Sequence, residues 1–150
     1  MTKKADDVET LFRYFTEIAI TAQLSGRLFE KVMPDGMTMA QFGILNHLSR
    51  VGNGQTPVEI ARAMQVTKGT MTSTLGTLER AGFIETRPDA RDGRSKRIEI
   101  SSAGREAVRA AIAAVEPEVA FLARQVNIDD VDASLPIVEK LRKLLDERRN

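Results

Sequence analysis

Apolar residues step along most of this chain at helical intervals and change to alternation in one short stretch. Val8, Leu11, Phe12, Phe15, Ile18 and Ala19 open a stripe that continues through Leu28, Phe29 and Val32. It predicts a helix over 6–33, with Asp6 and Asp7 in its first turn and Pro34-Asp35-Gly36 as its stop. A second helix starts at Thr38, where Gln41 completes a capping box. Phe42, Ile44, Leu45, Leu48 and Val51 form its buried side, and Gly52-Asn53-Gly54 ends it. Thr56-Pro57-Val58-Glu59 meets three helix-start rules together: a hydroxyl at the cap, proline in the first turn and glutamate at the third position. That short helix turns Ile60, Ala61 and Met64 inward and gives way at Gln65-Val66 to another cap, Thr67. The next helix, Lys68 to about Ala81, buries Met71, Leu75 and Leu78 and is closed by Gly82.

The period then drops to two. Phe83–Arg87 reads as one strand, Pro88–Arg94 as a tip, and Ser95–Ser101 as the returning strand. On that strand Ile98 and Ile100 face inward, with Arg97, Glu99 and Ser101 outward. Two strands this short require helices to pack on. Ser101 or Ser102 caps a long helix carrying Val108, Ile112, Val115, Phe121, Leu122 and Val126, and Pro117 is expected to kink or break it near Glu116. A last helix is expected from Asp129, acidic at Asp130 and Asp132 and threatened by Pro136. Its stripe is Ile137, Val138, Leu141, Leu144 and Leu145, and Arg148 and Arg149 suit its C-terminal dipole. The fold class is therefore mainly α with a small β-hairpin wing.

Composition narrows the chemistry. A length of 150 residues suits one domain, and 42% hydrophobic with 29% charged residues is ordinary for a soluble protein. With no cysteine, disulfides, zinc–thiolate sites and thiol redox sensing are excluded. The absence of a long apolar run or a signal-like N-terminus leads to the expectation of a soluble, cytoplasmic protein with no membrane partner. No nucleophile elbow, P-loop, dinucleotide fingerprint or metal-ligand spacing is present, so neither catalytic residues nor a cofactor or metal site is expected. His47 is the single histidine; it reads first as structural and second as a polar group lining a pocket.

Charge distribution points further. The net charge is only +1, yet residues 86–97 hold five cations (Arg87, Arg91, Arg94, Lys96, Arg97) against Asp89 and Asp92. The outer side of the helix before them is Lys68, Gly69, Thr72, Ser73, Gly76 and Thr77. A merely solvated face favours Glu and Lys, which support helix; Thr, Ser and Gly weaken the helix but let a partner approach the backbone. Hydroxyls hydrogen-bond phosphates and bases, and threonine methyls meet the thymine methyl. Helix, turn, helix and basic hairpin together form a device for entering a DNA groove.

The sequence T-P-V-E-I-A, then L-E-R-A-G-F-I, then D-A-R-D-G-R over Asp89–Arg94, and S-x-x-G-R at 101–105 resembles the MarR family of bacterial transcription regulators. The resemblance implies a winged helix-turn-helix lobe over 38–101, with 6–33 and 102–149 as N- and C-terminal dimerisation helices of one domain. It implies a homodimer on a pseudo-palindromic double-stranded operator, a repressor's role, and release by a small aromatic or anionic effector. The helix 68–81 would enter the major groove through Thr67, Lys68, Gly69, Thr70, Thr72 and Ser73. The hairpin would reach the minor groove through Arg91, its guanidinium held by Asp89, with Arg87, Arg94 and Lys96 beside it. Asp89 and Arg94 suit a salt bridge internal to the hairpin equally well. An effector cleft would involve Phe15, Ile18, His47 and Leu48. The competing reading is a winged-helix protein-interaction module that lays its basic wing on an acidic partner.

Overall fold

In the computed structural model, residues 2–52, 54–91 and 93–149 are described; Asn53, expected in a helix-ending turn, and Asp92, expected in the hairpin tip, lie outside them. The order is α1 (Thr2–Val32), a 3-10 turn (Pro34–Gly36), α2 (Met39–Val51), α3 (Pro57–Met64), α4 (Lys68–Arg80), β1 (Ile84–Pro88), β2 (Lys96–Ile100), α5 (Ser102–Ala123) and α6 (Ile128–Arg148). Backbone contacts divide the chain into two units between Val115 and Glu116.

In the first unit, local hydrogen bonds set the helix starts. Thr38 accepts from Gln41 N at 3.2 Å, and Gln41 Oε1 accepts from Thr38 N at 3.0 Å. Thr56 and Glu59 repeat the exchange at 3.3 and 2.8 Å, and Thr67 accepts from Thr70 N at 3.2 Å. Each pair satisfies amides that the first helical turn leaves without partners. The core then forms from one side of each element: Ile44, Leu45 and Leu48 of α2, Ile60 of α3, Met71, Leu75 and Leu78 of α4, Ile84 and Ile98 of the hairpin, Val108 and Ala111 of α5. Met33 and Met37, flanking the 3-10 turn, close it.

The strands pair antiparallel, Ile84 with Ile100 through Pro88 with Lys96. Gln55 adds an isolated bridge to β2, its N–H donating to Ile98 O at 3.0 Å and its carbonyl accepting from Ile98 N at 2.7 Å. The hairpin is thereby tied to the segment between α2 and α3. Ser101, rather than Ser102, caps α5: its hydroxyl accepts from Gly104 N at 3.0 Å and donates to Gly82 O at 2.6 Å.

Several expectations are corrected. α1 begins at Thr2, so Asp6 and Asp7 fall beyond its first turn. Val51 is exposed and Phe42 only half-buried, which leaves α2 a narrower buried side. Ala81 is the C-cap of α4, and Gly82 follows at φ 76, the left-handed geometry that ends helices cheaply. Neither proline breaks its helix: α5 runs on past Pro117 and α6 past Pro136. In both cases the proline and the residue four before it, Ala113 or Asp132, are exposed, so water takes the carbonyl that loses its amide.

In the second unit α6 is capped by Asn127, whose side chain accepts from Asp129 N at 3.0 Å, not by Asp129. Much of its stripe is uncovered: Ile137 is 54%, Leu144 47% and Leu145 54% exposed, while Val138 and Leu141 are half-buried. α1 of the first unit carries a similar face, with Val8 62% and Phe12 74% exposed. No helix among the described residues is long and apolar enough to cross a membrane.

Candidate nucleic-acid interface

Thr67, Lys68, Gly69, Thr70, Thr72 and Ser73 stand together on the exposed side of the first turns of α4. Their hydroxyls are not equivalent. Thr67 is committed to the cap, accepting Thr70 N and donating to Thr70 Oγ1 at 3.0 Å. Thr72 donates to Lys68 O at 2.9 Å, and Thr77 to Ser73 O at 3.2 Å. A threonine bonded back into its own helix has spent its proton, and it offers a partner a methyl group and a lone pair. Thr70 holds the Thr67 contact by its own oxygen, and Thr74 beyond it returns its proton to Thr70 O at 3.0 Å. Donation to an incoming anion therefore falls to Thr70, Ser73 and Lys68. Gly69 has open space where a Cβ would stand, so the backbone there is bare to whatever docks.

The hairpin supplies the other edge. Asp89 was expected to hold the Arg91 guanidinium; instead its Oδ1 accepts the backbone N–H of Arg91 at 3.1 Å and lies 3.6 Å from Arg97 Nε. The short aspartate side chain reaches the amide two residues on more readily than a long flexible guanidinium, and so shapes the turn itself. Arg97 was expected to face outward. It is half-buried, and its Nη1 donates to Gly54 O at 2.8 Å. Gly54 fits because its φ is 73 and an added Cβ would press on Glu99 Cγ at 2.8 Å. Arg97 thus clamps the hairpin base to the segment before α3, while Asp89 passes that anchoring to the tip.

The basic patch is less free than its composition suggests. Arg87 lies 3.5 Å from Glu85 and 3.4 Å from Glu99, so two carboxylates share its charge. Arg91 and Lys96 have no ion-pair partner among the described residues, and Arg94 is exposed. Gln55, Gly54 and Arg97, which position the tip, were missed as site residues because their contacts join distant parts of the chain.

The four residues considered for an effector cleft separate. Phe15 and Ile18 are half-buried on α1. Leu48 is 2% exposed and belongs to the core. His47 Nε2 lies 2.6 Å from Gln55 Oε1, a structural contact that fastens α2 to the residue pairing with β2. Among the described residues no group of three or more metal-ligating side chains is assembled.

Residues 35–95, from the 3-10 turn to the end of the hairpin tip, match the model of the MarR family. The resemblance to the MarR family lies over that stretch. A stretch of 76 residues is 36% identical to the transcriptional activatory protein BadR of Rhodopseudomonas palustris, covering 49% of this chain and 43% of that protein. The likeness therefore spans less than half the length of that relative. Among solved structures, a mutant MarR from E. coli complexed with operator DNA superposes with a TM-score of 0.77 at 23% identity, over 87% of this chain and 94% of that one. The regulator BldR from Sulfolobus solfataricus also gives 0.77, at 22% identity over 93% and 97%. The chain shares their winged-helix fold.

Proposed function

We propose that this chain is a regulator of the MarR type, binding DNA sequence-specifically and reading a pseudo-palindromic operator as a homodimer in the cytoplasm. The observation that carries the reading is the α4 face: a cluster of small, hydroxyl-bearing residues at a bare helical backbone, in one unit with a tip whose Arg91 has no ion-pair partner among the described residues. Such a helix suits the major groove, and a guanidinium suits the narrow, strongly negative minor groove beside it. The E. coli relative complexed with operator DNA supports the same docking. Binding an operator obstructs transcription, so repression is its direct consequence; the activatory role named for the Rhodopseudomonas relative makes activation the competing outcome. A promoter–reporter assay with and without the protein separates the two. An effector would act by binding one spacing of the paired recognition helices better than another.

The test is fluorescence anisotropy on DNA from upstream of the chain's own gene against scrambled DNA across a salt series. A specific complex about a thousandfold tighter than the scrambled one is expected. Equal, steeply salt-dependent binding to both would refute specific recognition by that fragment. Absence of binding to either at low salt transfers the basic wing to an acidic protein partner.

Two substitutions examine the interface. Arg91→Ala should weaken specific binding by roughly 1–3 kcal/mol and lower the salt slope by about one, with unchanged thermal stability. Full affinity in that variant would remove Arg91 from the contact. Gly69→Ala should act in opposite directions on two readouts. Alanine favours helix by roughly 1 kcal/mol and meets nothing in the free protein, so the melting temperature should rise. On DNA the added methyl stands where the backbone must approach, and affinity should fall. A variant both more stable and equally tight would show that the backbone keeps its distance.

A further inference from the structure

The joint between α1 and α2 is tied from both sides. Thr38 and Gln41 satisfy each other at the start of α2, but the Met39 amide between them finds no acceptor within its own helix. Glu30, near the end of α1, supplies one: its Oε1 accepts from Met39 N at 2.9 Å. The bond is charge-assisted, and it sets a carboxylate against the positive end of the α2 dipole. One helical turn earlier Gly26 faces the same residue, and a Cβ added there would stand 3.9 Å from Met39 Cγ. Met39 is thus held on one face of α1 by its amide at Glu30 and by its side chain at Gly26. The turn beneath adds no slack. Pro34 has its φ fixed by its ring, Asp35 and Gly36 are left-handed at φ 55 and 67, and Met37 N donates to Pro34 O at 3.1 Å. Met33 and Met37, on either side of it, are buried in the core.

We propose that Glu30 and Gly26 are positioning residues that decide which half-site spacing the paired chains accept. The inference rests on the regulator reading above, in which a second copy covers the apolar face of α1. Phe12, exposed on that face, stands roughly 27 Å along the helix from Glu30 at 1.5 Å per residue. Over such a lever a tilt of about 7° at the joint moves the winged unit by about 3.4 Å, one base-pair step of B-DNA. Half-sites lie about one helical turn apart, so an error of one step also rotates the second recognition helix by about 34° around the duplex. A stiff joint therefore selects one spacing, and a loose one lets the same dimer straddle several. Neither residue belongs to the α4 face or the hairpin tip, so its effect on DNA passes through the direction of α1.

Two readouts test this. The first needs neither DNA nor a dimer. The chain has no cysteine, so Glu17→Cys on α1 and Arg62→Cys on α3, both at exposed positions, take spin labels there alone. Pulsed EPR of the doubly labelled chain, diluted in unlabelled chain, reads the distance within one copy. Glu30→Ala should widen the distance distribution about twofold. Gly26→Leu, whose side chain must push Met39 aside, should shift its mean by about 3 Å. Glu30→Gln keeps an accepting oxygen and Gly26→Ala places its methyl at ordinary contact, so both should keep the parent distribution. The second readout is anisotropy on the operator fragment with one base pair inserted at, or removed from, its centre. The parent chain should lose about thirtyfold or more with either change, and Glu30→Ala less than about fivefold. Gly26→Leu should bind one of the altered spacings better than the original. A merely structural role would lower the melting temperature and weaken every spacing alike. Unchanged label distances in both Glu30→Ala and Gly26→Leu would overturn the joint's control of α1. Altered distances with an unaltered spacing preference would overturn its role at the operator. A parent chain that binds no fragment specifically overturns the regulator reading instead, and the label distances still judge the joint.

Discussion

Replacing Gly104 by Ala is expected to destabilise the first unit by about 3 kcal/mol, the upper part of the range for forced overpacking. In an exposed helix the same exchange stabilises, as expected at Gly69. At Gly104, buried near the start of α5, the new Cβ would overlap the carbonyl oxygen of Phe83 and lie 2.7 Å from Ile100 Cγ1. The first obstacle is backbone and cannot rotate away. That carbonyl already accepts from Ser101 N at 3.0 Å, and the Ser101 hydroxyl bonds both Gly82 O and Gly104 N. Moving α5 outward to admit a methyl therefore strains the junction that seats α5 on the hairpin. For a domain of this size about 3 kcal/mol corresponds to a fall in melting temperature of roughly 6–12 °C. Equal melting of Gly104→Ala and wild type would mean that helix and hairpin do not approach so closely in solution.

The same junction shows what the sequence makes legible. The S-x-x-G pattern was visible as a helix start, because a hydroxyl three residues before an amide is a local signal, as at Thr38, Thr56 and Thr67. That the glycine faces the Phe83 carbonyl was not, since that contact is fixed by tertiary packing. The interface divides in the same way. The row of Thr, Ser and Gly on α4 could be read directly, and the structure places it on one exposed side. The partner of Asp89 could not, because Arg97 becomes available only when its guanidinium turns back to Gly54, 43 residues earlier. Gln55 was invisible for the same reason: one residue pairing with Ile98 leaves no alternating pattern. Pro117 and Pro136 were overweighted because the sequence does not show that their carbonyls face water.

The two apolar stripes were also legible, but not what covers them, and there the largest functional effect is expected. Leu145→Asp should separate the proposed dimer and remove tight operator binding together. Leu145 is 54% exposed on α6, beside Val138 and Leu141, in a stripe that also exposes Leu135 at 48% and Ile137 at 54%. Monomeric proteins rarely leave so continuous an apolar face in water, so a second copy is the economical cover. In a two-fold interface the substitution occurs twice. An unpaired buried carboxylate costs about 3 kcal/mol or more in each copy, which raises the dimer dissociation constant on the order of ten-thousandfold. The single chain should fold unchanged, because the leucine it loses was largely solvent-exposed. Operator affinity should fall about a hundredfold or more, since each half-site must then be held without help from the other. Sedimentation and anisotropy on the same samples read both effects. A variant that remains dimeric at micromolar concentration would place the interface elsewhere, and a monomer that still binds the operator tightly would mean that recognition does not require the pair.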